Sequence, residues 1–272
     1  MGAKNSLVSS RTIASTAVFT AFVAAATMAF SLSIPATTGY FNFGEIMVYT
    51  AALLMGPYAG AFAGGVGSMI SDLSLGYPYF APGTLVIKGL EGFIVGYLGT
   101  RAFSRIAKAG WKTITVVFGL LLSLALAYVG SAYLSGDFSF TLGGTLGLPS
   151  FTADFRVPQA FWFVLAAGVF AVIAFLGMRV EVRSGQNVMS VLTGGAAMVA
   201  GYYAYESFVL TLIAPATVVA TLAPAAEVPF NVAQALVGLL VSVPLVRSIK
   251  RVMRGRGFQT GVRQPPSGSM EE

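Results

Sequence analysis

The sequence contains no cysteine and no histidine. Without cysteine, disulfides, zinc–thiolate sites, iron–sulfur clusters and thiol nucleophiles are excluded. Without histidine, His-ligated haem, His metal sites and imidazole general bases are excluded as well. Any catalysis would rest on carboxylates, lysine or tyrosine. Charge is also scarce: only 10% of the 272 residues are charged, against about 25% in a soluble domain. What is present is apolar. Hydrophobic residues make up 56% of the chain and the mean hydropathy is +0.79. So few charges do not cover the surface of a soluble domain this size, which places most of the chain in lipid. The 32 glycines and 12 prolines follow no Gly-X-Y period, which excludes collagen, and the apolar excess excludes disorder.

Apolar runs long enough to cross a bilayer are read at residues 12–34, 44–56, 57–75, 83–100, 113–134, 158–178, 188–213 and 229–247. The second and third are short and joined at Gly56-Pro57, as a full helical hairpin or a partly re-entrant one. No recurrent alternating segments of about ten residues appear, which argues against a membrane β-barrel. The expected architecture is therefore an all-α polytopic helical bundle of about eight transmembrane helices. The first run is longer than the apolar stretch of a secretory leader and reads as a retained span.

Basic residues set the orientation. With eight spans, the inner segments hold Lys4, Arg11, Arg101, Arg105, Lys108, Lys112, Arg179 and Arg183. The C-terminal segment adds Arg247, Lys250, Arg251, Arg254, Arg256 and Arg263. That is fourteen of the sixteen basic residues, leaving Lys88 and Arg156 elsewhere. Both termini are thus expected on the cytoplasmic side of a multi-pass cell-membrane protein. The net charge of +6 then requires no nucleic-acid partner. Residues 1–254 read as a single transmembrane domain and 255–272 as a disordered cytoplasmic tail. The longest outer segment, 135–157, is Gly/Thr/Phe-rich and reads as a small hairpin lid or a surface loop.

Lipid supplies no hydrophobic drive between helices, so small residues mark close packing. Gly60, Gly64 and Ser68 in the third run, and Gly92 and Gly96 in the fourth, read as internal contacts. Ala17, Ala21, Ala25 and Ala29 form a stripe on the first run that suits an outside partner helix as readily as an internal one. Charges at bilayer depth cost a few kcal/mol, roughly 2.5–3.5 each on insertion scales, so they line cavities or pair. Glu45 opens the second run and Asp72 lies near the outer end of the third. Lys88 and Glu91 share a helical face three residues apart, where they neutralise each other, contact a ligand, or both. Glu206 follows Tyr202 and Tyr203 by one helical turn. Asn231 and Gln234 form a polar face behind Pro229, which is expected to set the start of the last helix. Polar and aromatic groups converging in the outer half suit a flat, polar small molecule. The acids cluster on the outer side, which argues against a proton wire across the membrane.

Several stretches together resemble a known family. They are Gly39-Tyr40-Phe41-Asn42-Phe43-Gly44-Glu45, Ala51-Ala52-Leu53-Leu54-Met55-Gly56-Pro57, the glycine-rich run Gly60 to Ser68, Ser71-Asp72-Leu73, and Lys88-Gly89-Leu90-Glu91-Gly92. Farther along come Gly194 to Tyr202 with Glu206, and Val228 to Gly238. In this order they resemble the substrate-binding S component of energy-coupling factor (ECF) vitamin transporters, over about 1–101 and 188–250, with the riboflavin-type S component the nearest likeness. The resemblance implies a subunit that captures a vitamin or heteroaromatic precursor from outside. It then docks on a transmembrane coupling subunit, and two ATPase subunits power release inward. It implies docking through Ala17, Ala21 and Ala25, and a pocket involving Asn42, Lys88, Glu91, Glu206, Asn231 and Gln234. To these the depth and face arguments add Glu45, Tyr202 and Tyr203. No cofactor and no metal are implied. The lack of a phosphate-binding loop fits, because ATP work belongs to the partners. One departure stands out: the family usually has six spans, so residues of about 112–179 read as an inserted helical hairpin. The rival readings are a stand-alone ion-coupled secondary transporter or channel, and a membrane enzyme, for which clustered acids are lacking.

Overall fold

The computed structural model describes residues 9–33, 39–100, 106–133, 135–142, 151–179, 182–219 and 224–255. The tail expected to be disordered lies, beyond Gly255, outside the described residues. All eight apolar runs form helices: α1 (Ser10–Ala29), α2 (Gly44–Met55), α3 (Pro57–Leu75), α4 (Ala81–Thr100), α5 (Ile106–Tyr133), α6 (Gln159–Arg179), α7 (Val182–Ala204) and α10 (Pro224–Gly255). Between α7 and α10 lie a π-helical turn (Tyr205–Leu210) and two single turns, α8 (Thr211–Ile213) and α9 (Ala216–Val219). Among the described residues, three segments, Ser10–Ala29, Gln186–Ile213 and Glu227–Met253, are long and apolar enough to cross a bilayer. Helix α2 has 12 residues, about 18 Å at 1.5 Å per residue, which is short of the ~30 Å hydrocarbon core.

Among the described residues the helical architecture carries two small antiparallel sheets. The first apolar run stops being helical at Ala29 because Ser31–Ser33 (β1) pairs with Tyr40–Asn42 (β2). Residues 136–142 (β3) and 151–157 (β4) pair from Gly136↔Val157 to Leu142↔Phe151, so the long outer segment is a hairpin, and β3 packs beside β1. Two boundaries differ from expectation. Pro229 does not start the last helix but lies inside it, the described part of the helix beginning at Pro224. The helix is already formed over 224–228, so Pro229 sits where an inner N–H would donate and leaves one ladder bond unmade. The seventh run is not one regular helix either, since its α-helical ladder gives way to the π-turn at Tyr205.

Gly56 has φ +89° and is the hinge between α2 and α3, with Pro57 opening α3. This left-handed backbone is cheap only for glycine. Helices α3 and α4 then run in close contact. A Cβ at Gly64 would lie 2.8 Å from the Lys88 carbonyl, and one at Gly92 would collide with the Gly60 carbonyl. The glycines thus let two backbones touch, gaining the dispersion contacts that hold helices together in lipid. A core of Val23, Val48, Tyr49, Leu53, Val95, Val191 and Val243 joins α1, α2, α4, α7 and α10. The α5–α6 pair has its own core around Leu126, Trp162 and Ala166 and meets α10 edge-to-face through Trp162 and Phe230, with centroids 6.3 Å apart.

Candidate functional site

Six elements surround a polar cavity of about 40 Å³. Helix α1 contributes Thr27, and the first hairpin contributes Tyr40 and Asn42. Ser68 and Asp72 come from α3, Tyr77 and Phe80 from the following turn, and Thr84 and Lys88 from α4. Tyr202 on α7 and Glu227, Asn231 and Gln234 on α10 complete the wall.

Local rules place these groups. The Asn42 side chain accepts a hydrogen bond from the Gly44 N–H at 2.8 Å, an i→i+2 contact that turns the chain from β2 into α2. The Asn42 N–H donates to Gln234 Oε1 at 3.1 Å, and Gln234 Nε2 donates to Asn231 Oδ1 at 2.9 Å. Hairpin and last helix are thereby tied together across the cavity. Tyr40 donates its hydroxyl to Asp72 Oδ1 at 2.6 Å, and its ring lies 4.8 Å from that of Tyr77. The Tyr202 hydroxyl donates to Thr84 at 3.0 Å.

Lys88 is buried and ion-paired with both Glu45 and Glu91, the latter at 3.1 Å. Tyr49 donates to the far oxygen of Glu91 at 2.6 Å. Tyr202 lies over the ammonium, 5.6 Å from ring centroid to Nζ, within cation–π range. Two carboxylates thus share one ammonium, which offsets much of the desolvation cost of burying all three.

Of the nine expected site residues, Asn42, Lys88, Tyr202, Asn231 and Gln234 line the cavity. Glu45 and Glu91 stand behind Lys88 as its partners. Glu206, 1% exposed, sits on the π-turn and hydrogen-bonds the Glu227 carboxyl. Tyr203 is on a different face: half-exposed, it lines an apolar groove with Leu121, Val199 and Val232. Neighbouring helical residues point about 100° apart, so Tyr202 and Tyr203 do not face one cavity together. Sequence reasoning left out Tyr40, Tyr77, Thr84, Asp72 and Glu227. Asp72 carried a signal as a carboxylate at bilayer depth. Glu227 was read into the loop before the last helix.

On α1, Ala17, Ala21, Ala25 and Ala29 all face outward, beside exposed Val18 and Phe22. Thr20, Val23, Ala24 and Thr27 form the buried face.

The family model described as "ECF-type riboflavin transporter, S component" matches the chain over residues 7–155 and 141–251. The chain is also similar to a Pyrococcus woesei protein described as "Uncharacterized protein in gap 3'region". The two are 47% identical over 113 residues, which is 41% of this chain and 71% of that protein.

Proposed function

Because the chain belongs to the ECF-type riboflavin transporter S component family, a family of membrane-embedded substrate-specific transporter subunits, we propose that its cavity captures a water-soluble vitamin or heteroaromatic precursor from the outer side and delivers it to an ATP-driven coupling module. The observation that carries this reading is the cavity itself. Its polar groups come from six elements and its rings from three, so it is aromatic and hydrogen-bonding at once, as small-molecule sites are. Lys88 and Asn231 orient polar edges of the ligand, and Tyr202 stacks on its ring. Glu45, Glu91 and Glu206 hold these groups in place, and Tyr203 stands at the margin.

The remaining parts of the reading draw on the family and on the pattern of apolar runs and basic residues. On a reading of eight spans, both termini lie in the cytoplasm of a multi-pass cell-membrane protein, with 255–272 as a tail. The six-helix core is α1–α4, α7 and α10, and α5–α6 is the inserted hairpin. The outward alanine face of α1, with Ala17, Ala21 and Ala25, docks on the transmembrane coupling subunit, and two ATPase subunits supply the energy. The chain itself performs no catalysis.

Mass spectrometry of whatever co-purifies with the full-length protein tests the ligand class directly. A bound vitamin or precursor is expected. Lys88→Ala, Glu206→Ala and Asn231→Ala combined should abolish its retention; unchanged affinity removes the site. Uptake that follows a proton or sodium gradient in the absence of ATPase partners would overturn the coupling in favour of a secondary transporter.

A further inference from the structure

A groove of about 470 Å³ runs between α6 and α10, apart from the polar cavity. Phe161, Val164, Gly168 and Val172 line its α6 side, and Leu236 and Leu240 its α10 side. Every lining side chain is apolar, and Val164, Val172 and Leu240 remain exposed. Gly168 keeps the groove open, since a Cβ built there meets nothing within 4 Å. A glycine inside a helix destabilises it relative to alanine. The glycines of α3 and α4 admit a neighbouring backbone in return, whereas Gly168 faces open space.

The α10 side of the groove continues into charge. At 100° per residue, Leu236, Leu240, Arg247 and Arg251 fall within about 60° of one another on α10, which runs on as a helix through Pro244. Both arginines are exposed and form no ion pair among the described residues. Lys250, beside them in sequence, is committed differently: its ammonium donates to the Leu53 carbonyl at 2.9 Å. Positive-inside topology asks for basic residues at this end of α10, but not for their placement on the face of the groove. The length fits as well. Leu236 to Arg251 spans about 22 Å at 1.5 Å per residue. One leaflet, half of a bilayer of ~40–45 Å with its headgroup regions, has the same thickness.

We propose that this groove holds one hydrocarbon chain of an anionic phospholipid from the leaflet at the C-terminal end of α10, the inner leaflet on the orientation given above, with its phosphate between Arg247 and Arg251. Guanidinium groups match phosphate oxygens in geometry as well as charge. A zwitterionic lipid fills the groove equally well but gains less from two unpaired cations.

The test is native mass spectrometry of the full-length protein released from nanodiscs of equal parts dioleoylphosphatidylglycerol and dioleoylphosphatidylcholine. Phosphatidylglycerol is expected to be retained over phosphatidylcholine by about fivefold to thirtyfold, the worth of one to two arginines beside an anionic headgroup. Arg247→Gln combined with Arg251→Gln should erase that preference. Arg11→Gln, which removes an exposed cation elsewhere, should leave it unchanged. Gly168→Leu fills the groove without altering either arginine and should lower retention of both lipids at least about fivefold, the loss of one to two buried methylenes or more. Equal retention of the two lipids by the unaltered protein overturns the proposal. So does a preference that Arg11→Gln removes as fully as the arginine pair, because any basic residue then serves. Retention untouched by Gly168→Leu places the chain outside the groove and overturns it too, as does displacement of the lipid by millimolar glycerol phosphate, which makes the arginines a free-phosphate site. The ranking on the unaltered protein decides the headgroup preference even if a variant fails to fold.

Discussion

At the scale of single residues, Lys88 shows how the molecule handles charge inside lipid. Its three-residue spacing from Glu91 was legible as a helical pair. Its partnership with Glu45, 43 residues away, was not, because it depends on α2 and α4 being brought together by the α3 glycines. Lys88→Met leaves Glu45 and Glu91 facing each other without a counter-charge, and removal of one partner from a buried pair costs about 3–5 kcal/mol. A loss of that order in thermal or denaturant unfolding in detergent is expected, with most of it recovered by adding Glu45→Gln and Glu91→Gln. Full stability of Lys88→Met alone would show that the pairs are incidental. The tyrosine doublet teaches the complementary point. Tyr202 and Tyr203 are equivalent in composition and differ only in helical phase, which an apolar helix does not reveal until its neighbours are known.

At the scale of elements, backbone contact between α3 and α4 predicts a sharp contrast. Gly92→Leu inserts a side chain against the Gly60 backbone and should destabilise by about 1–3 kcal/mol. Gly89→Ala places a Cβ no closer than 3.5 Å to any neighbour and should be nearly neutral. Equal effects in a melting assay would contradict the close crossing. Helix α1 predicts a different contrast. Ala21→Trp enlarges the outward face and is expected to leave folding and ligand retention intact while weakening co-purification of the coupling subunit. Val23→Asp puts a charge among buried neighbours and should abolish folding. The glycine spacings already announced internal packing of α3 and α4. The alanine stripe was ambiguous, since a regular row of small residues has the same pattern whichever way it faces.

At the scale of the whole molecule, the cavity wall as described draws on α1, the first hairpin, α3, α4, α7 and α10, whereas α5 and α6 pack chiefly on each other and on α10. Replacing residues 106–181 by a short linker is therefore expected to leave ligand affinity within about tenfold, or 1.4 kcal/mol, as judged by retention of the co-purifying ligand. Loss of binding in a folded variant would instead make the inserted pair part of the site.

The sequence by itself determined the medium, the eight apolar helices and the residue types available for a site. Hydropathy and the lack of charge are local quantities, summed over a helix length without knowledge of any partner. It also marked five of the cavity-lining residues, because polar groups at bilayer depth are conspicuous. The tertiary structure decided which of them meet. It paired Tyr40 with Asp72 and Asn42 with Gln234, drew Glu206 away to Glu227 through a π-turn, and turned the α1 alanines outward. Each of those outcomes depends on helical phase and on contacts between segments far apart in the chain. Lipid enforces burial of charge without specifying the partner, so the packing of backbones at glycine had to make that choice.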